Sequence, residues 1–412
     1  MKTASIVSIG NEVLSGQTID TNASYLSGEL LAIGIPVVSV YAIGDDIDSI
    51  ARAFCLAAGD GDIVLATGGL GPTDDDVTRE ALAKFLGSKL VFEEKLLRKI
   101  EDFFERRTVE MSPRNKVQAY IPVGSKALEN NIGTAPGIMA QAQGKLIIAL
   151  PGVPSEMKQM FEESVLERLK EVAGGQALAV RKLKCFGAGE SSIAELLGPL
   201  MQRGRDPLIN STACHGVITL HIVATAGDED AAKEMADEDE KLLLNMLGEL
   251  VYGTGEQTLA QVVGQKLRQG NKTLAVAESC TGGILAALLT DVPGASDYFM
   301  LGWVTYSNSA KISELGVGAE LIEKYGAVSE PVAVAMAEGA RRKGGTDYAI
   351  AITGIAGPGG GTEQKPVGRV YISVVWAGRS ETKGYFFSGD RDSIRLRAAQ
   401  TALNILRLKL MI

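Results

Sequence analysis

At both ends of the chain one pattern recurs: a short β-branched run, a glycine-bearing turn, then a stretch of helical periodicity. Such alternation builds parallel sheets, because parallel strands need a long, usually helical, connection between them. In the first part 4–9, 37–43 and 63–67 read as buried strands, and 20–33, 46–58 and 76–86 as the helices beside them. Extended pieces at 138–142 and 145–150 run into Pro151-Gly152-Val153-Pro154-Ser155-Glu156, where the prolines and Ser155 start an amphipathic helix to about 172. From 257 a second α/β region follows, with helices at 257–269, to about 290, near 330–343 and at 391–410. Its strands are expected at 273–277, 298–306, 347–353, 369–376 and 382–388. Between them, 175–254 reads as strand, helix, two strands and a helix, a small α+β unit. The 412 residues therefore divide into three expected domains, 1–172, 175–254 and 257–412.

A net charge of −9 argues against nucleic acid or an anionic membrane as partner, since either would need a basic face. Cys55, Cys185, Cys214 and Cys280 show no CxxC spacing, which suits a reducing compartment. No apolar run of signal-peptide or membrane-spanning length occurs, so the expected location is the cytoplasm. Only two histidines are present, His215 and His221, both in the middle segment. They share strand parity but lie roughly 20 Å apart along a strand, too far to share one ion. Any chemistry in the outer segments must run on Lys, Tyr, Asp or Glu.

In the first segment Gly68-Gly69-Leu70-Gly71-Pro72-Thr73 follows a strand and precedes Asp74, Asp75 and Asp76 at a helix start. Glycines admit close approach of a ligand, and N–H groups at a helix start bind phosphate oxygens. The carboxylates would repel a bare phosphate but suit a divalent cation bridging to a pyrophosphate; they equally suit the dipole of the helix. The motif is neither Walker A nor a dinucleotide fingerprint. Gly10-Asn11-Glu12 and Gly44-Asp45-Asp46 also end strands, where open α/β sheets bind ligands.

In the third segment Glu278-Ser279-Cys280-Thr281-Gly282-Gly283 follows a strand and opens a helix, placing a hydroxyl, a thiol and free backbone donors together. This suits a nucleophile with an oxyanion site; a serine N-cap with small packing residues explains it equally. Tyr306-Ser307-Asn308-Ser309-Ala310-Lys311 ends another strand. A desolvated lysine can be neutral near pH 7 and deprotonate serine directly, so Ser279, Tyr306 and Lys311 form a candidate histidine-free hydrolytic set. Cys280 is the competing nucleophile, although a cysteine at a helix start is also a common small buried residue. Thr353, Gly354 and Gly357 sit in a glycine-dense loop that reads as a wrap around ribose phosphate or as a mobile surface loop. Arg391 and Arg395 begin the last helix, poorly placed for its dipole; a ligand anion or a neighbouring acid would explain them.

The motifs GNEVLSGQTIDTN, GDD at 44–46, TGGLGPTDDDVT and LPGVPSEM together resemble the competence/damage-inducible CinA family, and the likeness continues to the C-terminus. The resemblance implies an N-terminal molybdopterin-binding-like α/β domain, a KH-type α+β middle domain and a C-terminal α/β domain similar to nicotinamide mononucleotide deamidases of the PncC type. It further implies a metal-dependent ADP-ribose pyrophosphatase activity in the first domain, with Mg, Mn or Co, and a cofactor-free deamidase in the last. By chemistry, Asp45, Asp75 and Asp76 are the candidates for metal or water activation; Gly68, Gly69 and Gly71 would hold phosphate, with Asn22 and Glu156 as further nucleotide contacts. In the deamidase the resemblance assigns Ser279 as nucleophile, Lys311 as base and Tyr306 as relay or orienting group. Substrate would lie against Cys280, Thr281, Gly282, Gly283, Thr353, Gly354, Gly357, Arg391 and Arg395, and amides near 280–283 would hold the oxyanion.

The middle segment departs from an RNA-binding KH motif. Gly187-Ala188-Gly189-Glu190 ends in an acid where a clamp needs glycine, and the helix near 228–241 carries eight acids. A linker or homodimerisation module is expected, with nicotinamide mononucleotide and ADP-ribose as the partners of the whole chain. Two other readings stand beside this one: a regulatory protein in competence or damage response, and a molybdopterin-handling enzyme.

Overall fold

The structure is a computed structural model and describes residues 2–173 and 177–411. It separates into two compact units, 1–179 with 224–234, and 180–223 with 235–412. The junction expected between 172 and 175 lies partly outside the described residues, and the middle segment has a sheet of its own yet contributes mostly to the second unit.

In the first unit a six-stranded sheet runs in the order Val37–Ile43, Ala4–Ile9, Ile63–Thr67, Lys145–Leu150, Gly137–Ala142, Lys126–Leu128. The first four strands are parallel and the last two antiparallel. Every residue of Ala4–Ile9 and Ile63–Thr67 is buried, as continuous apolar runs require when helices cover both faces. On one face Leu26 and Leu30 of helix Thr21–Ala32 pack with Met157, Phe161 and Leu169 of the 154–172 segment, in which a π-helical stretch, Phe161–Val165, interrupts the α-helix. On the other, Ile50, Phe54 and Ala57 of helix Ile47–Asp60, capped by the Asp46 carboxylate, pack against Leu82. The expected helix at 76–86 begins only at Thr78, so the three aspartates stand in a turn ahead of it and not on its first turn. Residues 89–135 hold helix Glu94–Arg106 and strands of only three residues, too short for alternation to reveal.

The second unit carries two sheets. The smaller has the order Leu208–Cys214, Val217–Ala226, Ala177–Phe186, Val251–Thr254. His215 occupies the left-handed turn of its hairpin, at φ 48°, and is not on a strand, while His221 bonds Thr212 through its ring. The larger sheet runs Phe299–Val304, Leu274–Glu278, Tyr348–Gly354, Arg369–Trp376, Arg379–Phe386, the first three parallel and the last two antiparallel. Its faces are covered by helix Arg391–Lys409, through Ile394, Ala398, Ala402 and Leu406, and by helix Glu330–Gly344, through Val332, Met336 and Ala340. Both sets follow the spacing that puts side chains on one helical stripe. Among the described residues no helix is long and apolar enough to cross a membrane.

Gly339 lets helix Glu330–Gly344 lie against the main chain at Leu315: a Cβ there would stand 2.1 Å from the Leu315 carbonyl oxygen. Alanine would improve helix propensity by about 1 kcal/mol, but backbone cannot move aside as a side-chain tip can. Gly339→Ala should therefore lower stability by roughly 1–3 kcal/mol, read from denaturant unfolding; a stabilised variant would show that the contact is not close in solution.

Candidate active sites

At the carboxyl end of the central parallel strand Leu274–Glu278 the chain turns through 279–283 before helix Ile284–Thr290 starts. The turn is anchored by Ser279 N–H donating to Ile352 O at 3.0 Å, across to the neighbouring strand. Lys311, on helix Asn308–Leu315, reaches into the same place: its Nζ lies 3.0 Å from Ser279 Oγ, 2.8 Å from Thr305 O and 3.4 Å from Tyr306 O. The side chain is only 1% exposed, and no carboxylate pairs with it among the described residues. Burial removes water that would stabilise the ammonium, so its pKa is lowered, opposed by the nearby Cys280. Cys280 itself is buried and its thiol is pushed up to about 12, chiefly by desolvation. It is held as a thiol at neutral pH, and Ser279 is the better-prepared nucleophile.

The sequence reading missed Glu278. This residue is fully buried, and its carboxylate accepts the N–H groups of Gly283, Leu285 and Ala286 at 3.0, 3.0 and 2.8 Å. A strand-end acid thus takes up the orphan donors of the following helix, where the dipole also favours negative charge. This changes the oxyanion expectation. Gly283 N–H is taken by Glu278, and Gly282 N–H donates to Ser279 O. Of the 280–283 group, the Cys280 and Thr281 amides remain, with no backbone acceptor among the described residues.

The other predicted residues form a frame around this turn. Arg395 donates to Thr281 O through Nε and Nη2, at 3.3 and 2.9 Å, and touches the exposed Asp392 at 3.4 Å. Arg391 donates to the Gly357 carbonyl and to the Tyr306 hydroxyl, the latter at 3.1 Å. Tyr306 is 61% exposed, so its main-chain oxygen meets Lys311 while its phenol meets Arg391. Thr353 is buried and its hydroxyl is committed to Ala327 O at 2.8 Å. Gly354 packs beneath the turn, where a Cβ would come within 3.0 Å of Cys280 Sγ, and Gly357 has φ +79°. Among the described residues the buried hydroxyls of Thr281 and Thr305 have no hydrogen-bond partner.

In the first unit the strand ends open on a cleft of about 390 Å³ that gathers Asp45, Asp75, Asp76, Gly68, Gly69, Gly71 and Glu156, with Glu12. Gly68 and Gly69 have φ +105° and +65°, and a Cβ on Gly68 would stand 2.1 Å from Ile9 O. The loop they start is fixed from below by Arg79, almost fully buried, which donates to the carbonyls of Leu70, Gly71 and Asp76 at 2.7, 2.9 and 3.3 Å. Gln118 bonds the Leu70 carbonyl as well, at 3.4 Å. Asn22 sits at the neighbouring edge, its Nδ2 donating to Gly152 O at 2.8 Å and its buried Oδ1 without a partner among the described residues. Glu156 accepts from Asn130 Nδ2 at 2.7 Å. Burial raises the Asp45 pKa, with repulsion from Glu12, Asp75 and Asp76 adding to it and the Asn11 N–H opposing. Hard oxygen donors are the right kind for a divalent cation. Yet Asp76 is engaged by Thr73 N–H and hydroxyl, and among the described residues no three His, Cys, Asp or Glu side chains stand where they could share one ion. As placed, Asp45, Asp75 and Asp76 line one cleft without forming a coordination set.

Comparison with known proteins divides the chain at similar places. Residues 5–171 match a family described as a probable molybdopterin binding domain, 180–253 the damage-inducible protein CinA KH domain, and 256–410 the CinA C-terminal domain. A relative from Caldicellulosiruptor saccharolyticus, described as a competence-damage inducible protein, is 44% identical over 404 residues, 98% of each chain. A CinA-like protein from Kosmotoga olearia is 42% identical over 404 residues, again 98% of each. Among solved structures, a CinA protein from Thermoplasma acidophilum is 37% identical and covers 41% of this chain and 98% of its own, with a TM-score of 0.38.

The carboxylate of Glu278 holds three amides at once, and an amide side chain has one acceptor oxygen and would turn its NH₂ toward donors. Glu278→Gln should cost roughly 1–3 kcal/mol in denaturant unfolding; unchanged stability would show that the three bonds do not hold the turn.

Proposed function

Because the chain belongs to the CinA family along almost its whole length, we propose that its C-terminal α/β domain is a serine–lysine amidohydrolase that converts nicotinamide mononucleotide to nicotinic acid mononucleotide and ammonia. One observation carries this reading: a buried lysine amine, without a carboxylate partner, at 3.0 Å from a serine hydroxyl. A structural lysine has no reason to be placed there, since burying an unpaired ammonium costs several kcal/mol. A lysine that must lose its proton gains from the same burial.

The reaction follows from the positions. Neutral Lys311 takes the proton of Ser279 Oγ, which bonds to the carboxamide carbon. The amide π electrons move to oxygen, which faces the Cys280 and Thr281 N–H groups. The C–N bond then breaks, the Lys311 ammonium gives its proton to the departing NH₂, and ammonia leaves. Water, deprotonated by Lys311, opens the acyl-serine and restores both groups. Arg391 ties the loop at Gly357 to Tyr306, which gives the substrate's ribose phosphate a fixed wall to meet.

For the first domain we propose hydrolysis of the pyrophosphate of ADP-ribose to AMP and ribose 5-phosphate. The glycine loop and carboxylates of the 390 Å³ cleft support it. A divalent cation, Mg, Mn or Co, is part of this proposal, and since the carboxylates do not form a ready coordination set, no step is written through it. The whole chain is proposed to act in the cytoplasm as a homodimer. A purely regulatory role would leave the Ser279–Lys311 pair without a purpose.

Three tests follow. Ser279→Ala and Lys311→Arg should each lower ammonia release from nicotinamide mononucleotide by roughly 10²–10⁴-fold; wild-type rates would remove the pair from the chemistry. As pH rises Lys311 loses its proton and the active fraction grows, so the rate should climb to a plateau with a midpoint below the ordinary lysine value of about 10.4; a midpoint at or above it would exclude Lys311 as base. In the first domain, Asp45→Asn relieves a repelled carboxylate, so the thermal midpoint should hold or rise while AMP release from ADP-ribose, assayed with and without added Mg²⁺, Mn²⁺ or Co²⁺, is lost. Full turnover by this variant would take Asp45 out of the reaction.

A further inference from the structure

A cleft of about 730 Å³ in the second unit contains neither Ser279 nor Lys311. One wall is a single face of the edge strand Arg379–Phe386, where alternate residues point the same way and Lys383, Tyr385 and, just beyond, Phe387 line the opening. Among the described residues strand Arg369–Trp376 is its only neighbour in the sheet. The facing wall is helix Arg391–Lys409, through Arg397, Asn404 and Arg407, and the rim is the exposed turn at Gly187 and Gly189.

We infer that this cleft binds an anionic ligand carrying a planar ring, of mononucleotide size. The half-buried ring of Tyr385 stacks on the buried ring of Phe387, with centroids 5.7 Å apart and planes 7° from parallel, an apolar wall against which a planar ring can pack. Cations stand over these rings: Lys383 Nζ is 5.6 Å from the centre of Tyr385, and Arg397 Cζ is 5.3 Å from that of Phe387, with Arg397 Nη1 also donating to Ser388 O at 3.1 Å. Neither Lys383 nor Arg397 forms an ion pair among the described residues. Of the two acids lining the cleft, Glu381 is engaged by Lys409. Buried Arg407 is satisfied by the oxygens of Asn404, Val251 and Glu249 and adds positive potential at the base. Gly187, at φ +101°, presents bare backbone to the rim, where a phosphate can approach closely. The volume lies in the range of small-molecule sites.

The site has a route to the deamidase turn. Helix Arg391–Lys409 carries Arg397 and Asn404 in the cleft, and Arg391 and Arg395 on the loops at Gly357 and Thr281. A ligand that fixes this helix fixes the arginines that frame Ser279. The inference itself does not depend on the deamidase reading, because it rests on binding.

The test is titration of the full chain with AMP, with adenosine and inorganic phosphate as separate probes, followed by hydrogen exchange resolved by peptide. AMP should bind saturably with a Kd below about 1 mM, slow exchange in 381–388 and 186–190, and bind tighter than either fragment. Lys383→Glu with Arg397→Glu should weaken this event at least tenfold and erase the protection; should the pair unfold the chain, the exposed Lys383→Glu alone should still weaken it. Protection confined to 68–76 or 354–361, binding unchanged by the variants, or no binding of AMP in this range would each overturn the inference.

Discussion

The contact between Lys311 Nζ and Ser279 Oγ sets the demands that the rest of the C-terminal domain meets. An amine with 1% exposure and only neutral oxygens around it must be surrounded by structure that cannot relax toward it. The parallel sheet supplies that rigidity. Ser279 leaves the end of the central strand Leu274–Glu278, tied to Ile352 on one side, while Thr305 N–H donates to Glu278 O on the other. Both neighbours of the strand therefore fix the turn, and Thr305 O is in turn one of the acceptors of Lys311. Base and nucleophile are positioned by the same two ladders.

Charge is distributed so that it does not cancel the effect. Glu278, adjacent to Ser279 in sequence, would restore the lysine's ordinary behaviour if its carboxylate faced the amine. Its oxygens turn instead onto the amides of Gly283, Leu285 and Ala286 at the start of helix Ile284–Thr290, which stabilise the anion and start the helix. Arg395 meets a main-chain carbonyl of the turn and Arg391 a carbonyl and a phenol, so the arginines brace the loops through neutral groups. In the first unit Arg79 does the same beneath the glycine loop, with three carbonyls as its partners. Arg79, buried, and Arg395, half-buried, thus hold their loops by donating to main chain, and Arg391 does so from an exposed position.

Much of this was legible because parallel strands are buried on both faces and announce themselves as apolar runs closed by glycine. The strands at 4–9 and 63–67 and the serine at a strand end followed from that; 37–43, expected as buried, is an edge strand with alternate residues exposed, and Lys311 stands on helix Asn308–Leu315. Glu278 was not legible: an acid closing a strand ordinarily marks solvent, and nothing local says that three amides five to eight residues on will turn back to it. Gln118 reaches the Leu70 carbonyl across 48 residues of sequence, a contact no local pattern carries. The helix start at Thr78 was missed because Asp74, Asp75 and Asp76 look like first-turn acids, whereas the Asp76 carboxylate closes a turn onto Thr73. His215, expected on or beside a strand, stands beside it in the two-residue hairpin turn, where it and Gly216 both take left-handed φ.

The two clefts contrast in how complete they are. Around Ser279 the charged groups Glu278, Arg391 and Arg395 are already matched, and what stays open is the desolvated amine, which the proposed chemistry uses, beside the Cys280 and Thr281 amides and two buried hydroxyls. Around Asp45 the tension is repulsion: Glu12, Asp75 and Asp76 all raise the cost of its negative charge, and a single backbone N–H offsets it. Like charges concentrated at strand ends, beside glycines that expose main-chain N–H groups, define a place where a ligand must bring its own compensation. A site of the first kind works on a substrate fitted to fixed groups. One of the second kind, where like charges face one another without a partner cation among the described residues, needs a ligand that draws its carboxylates together.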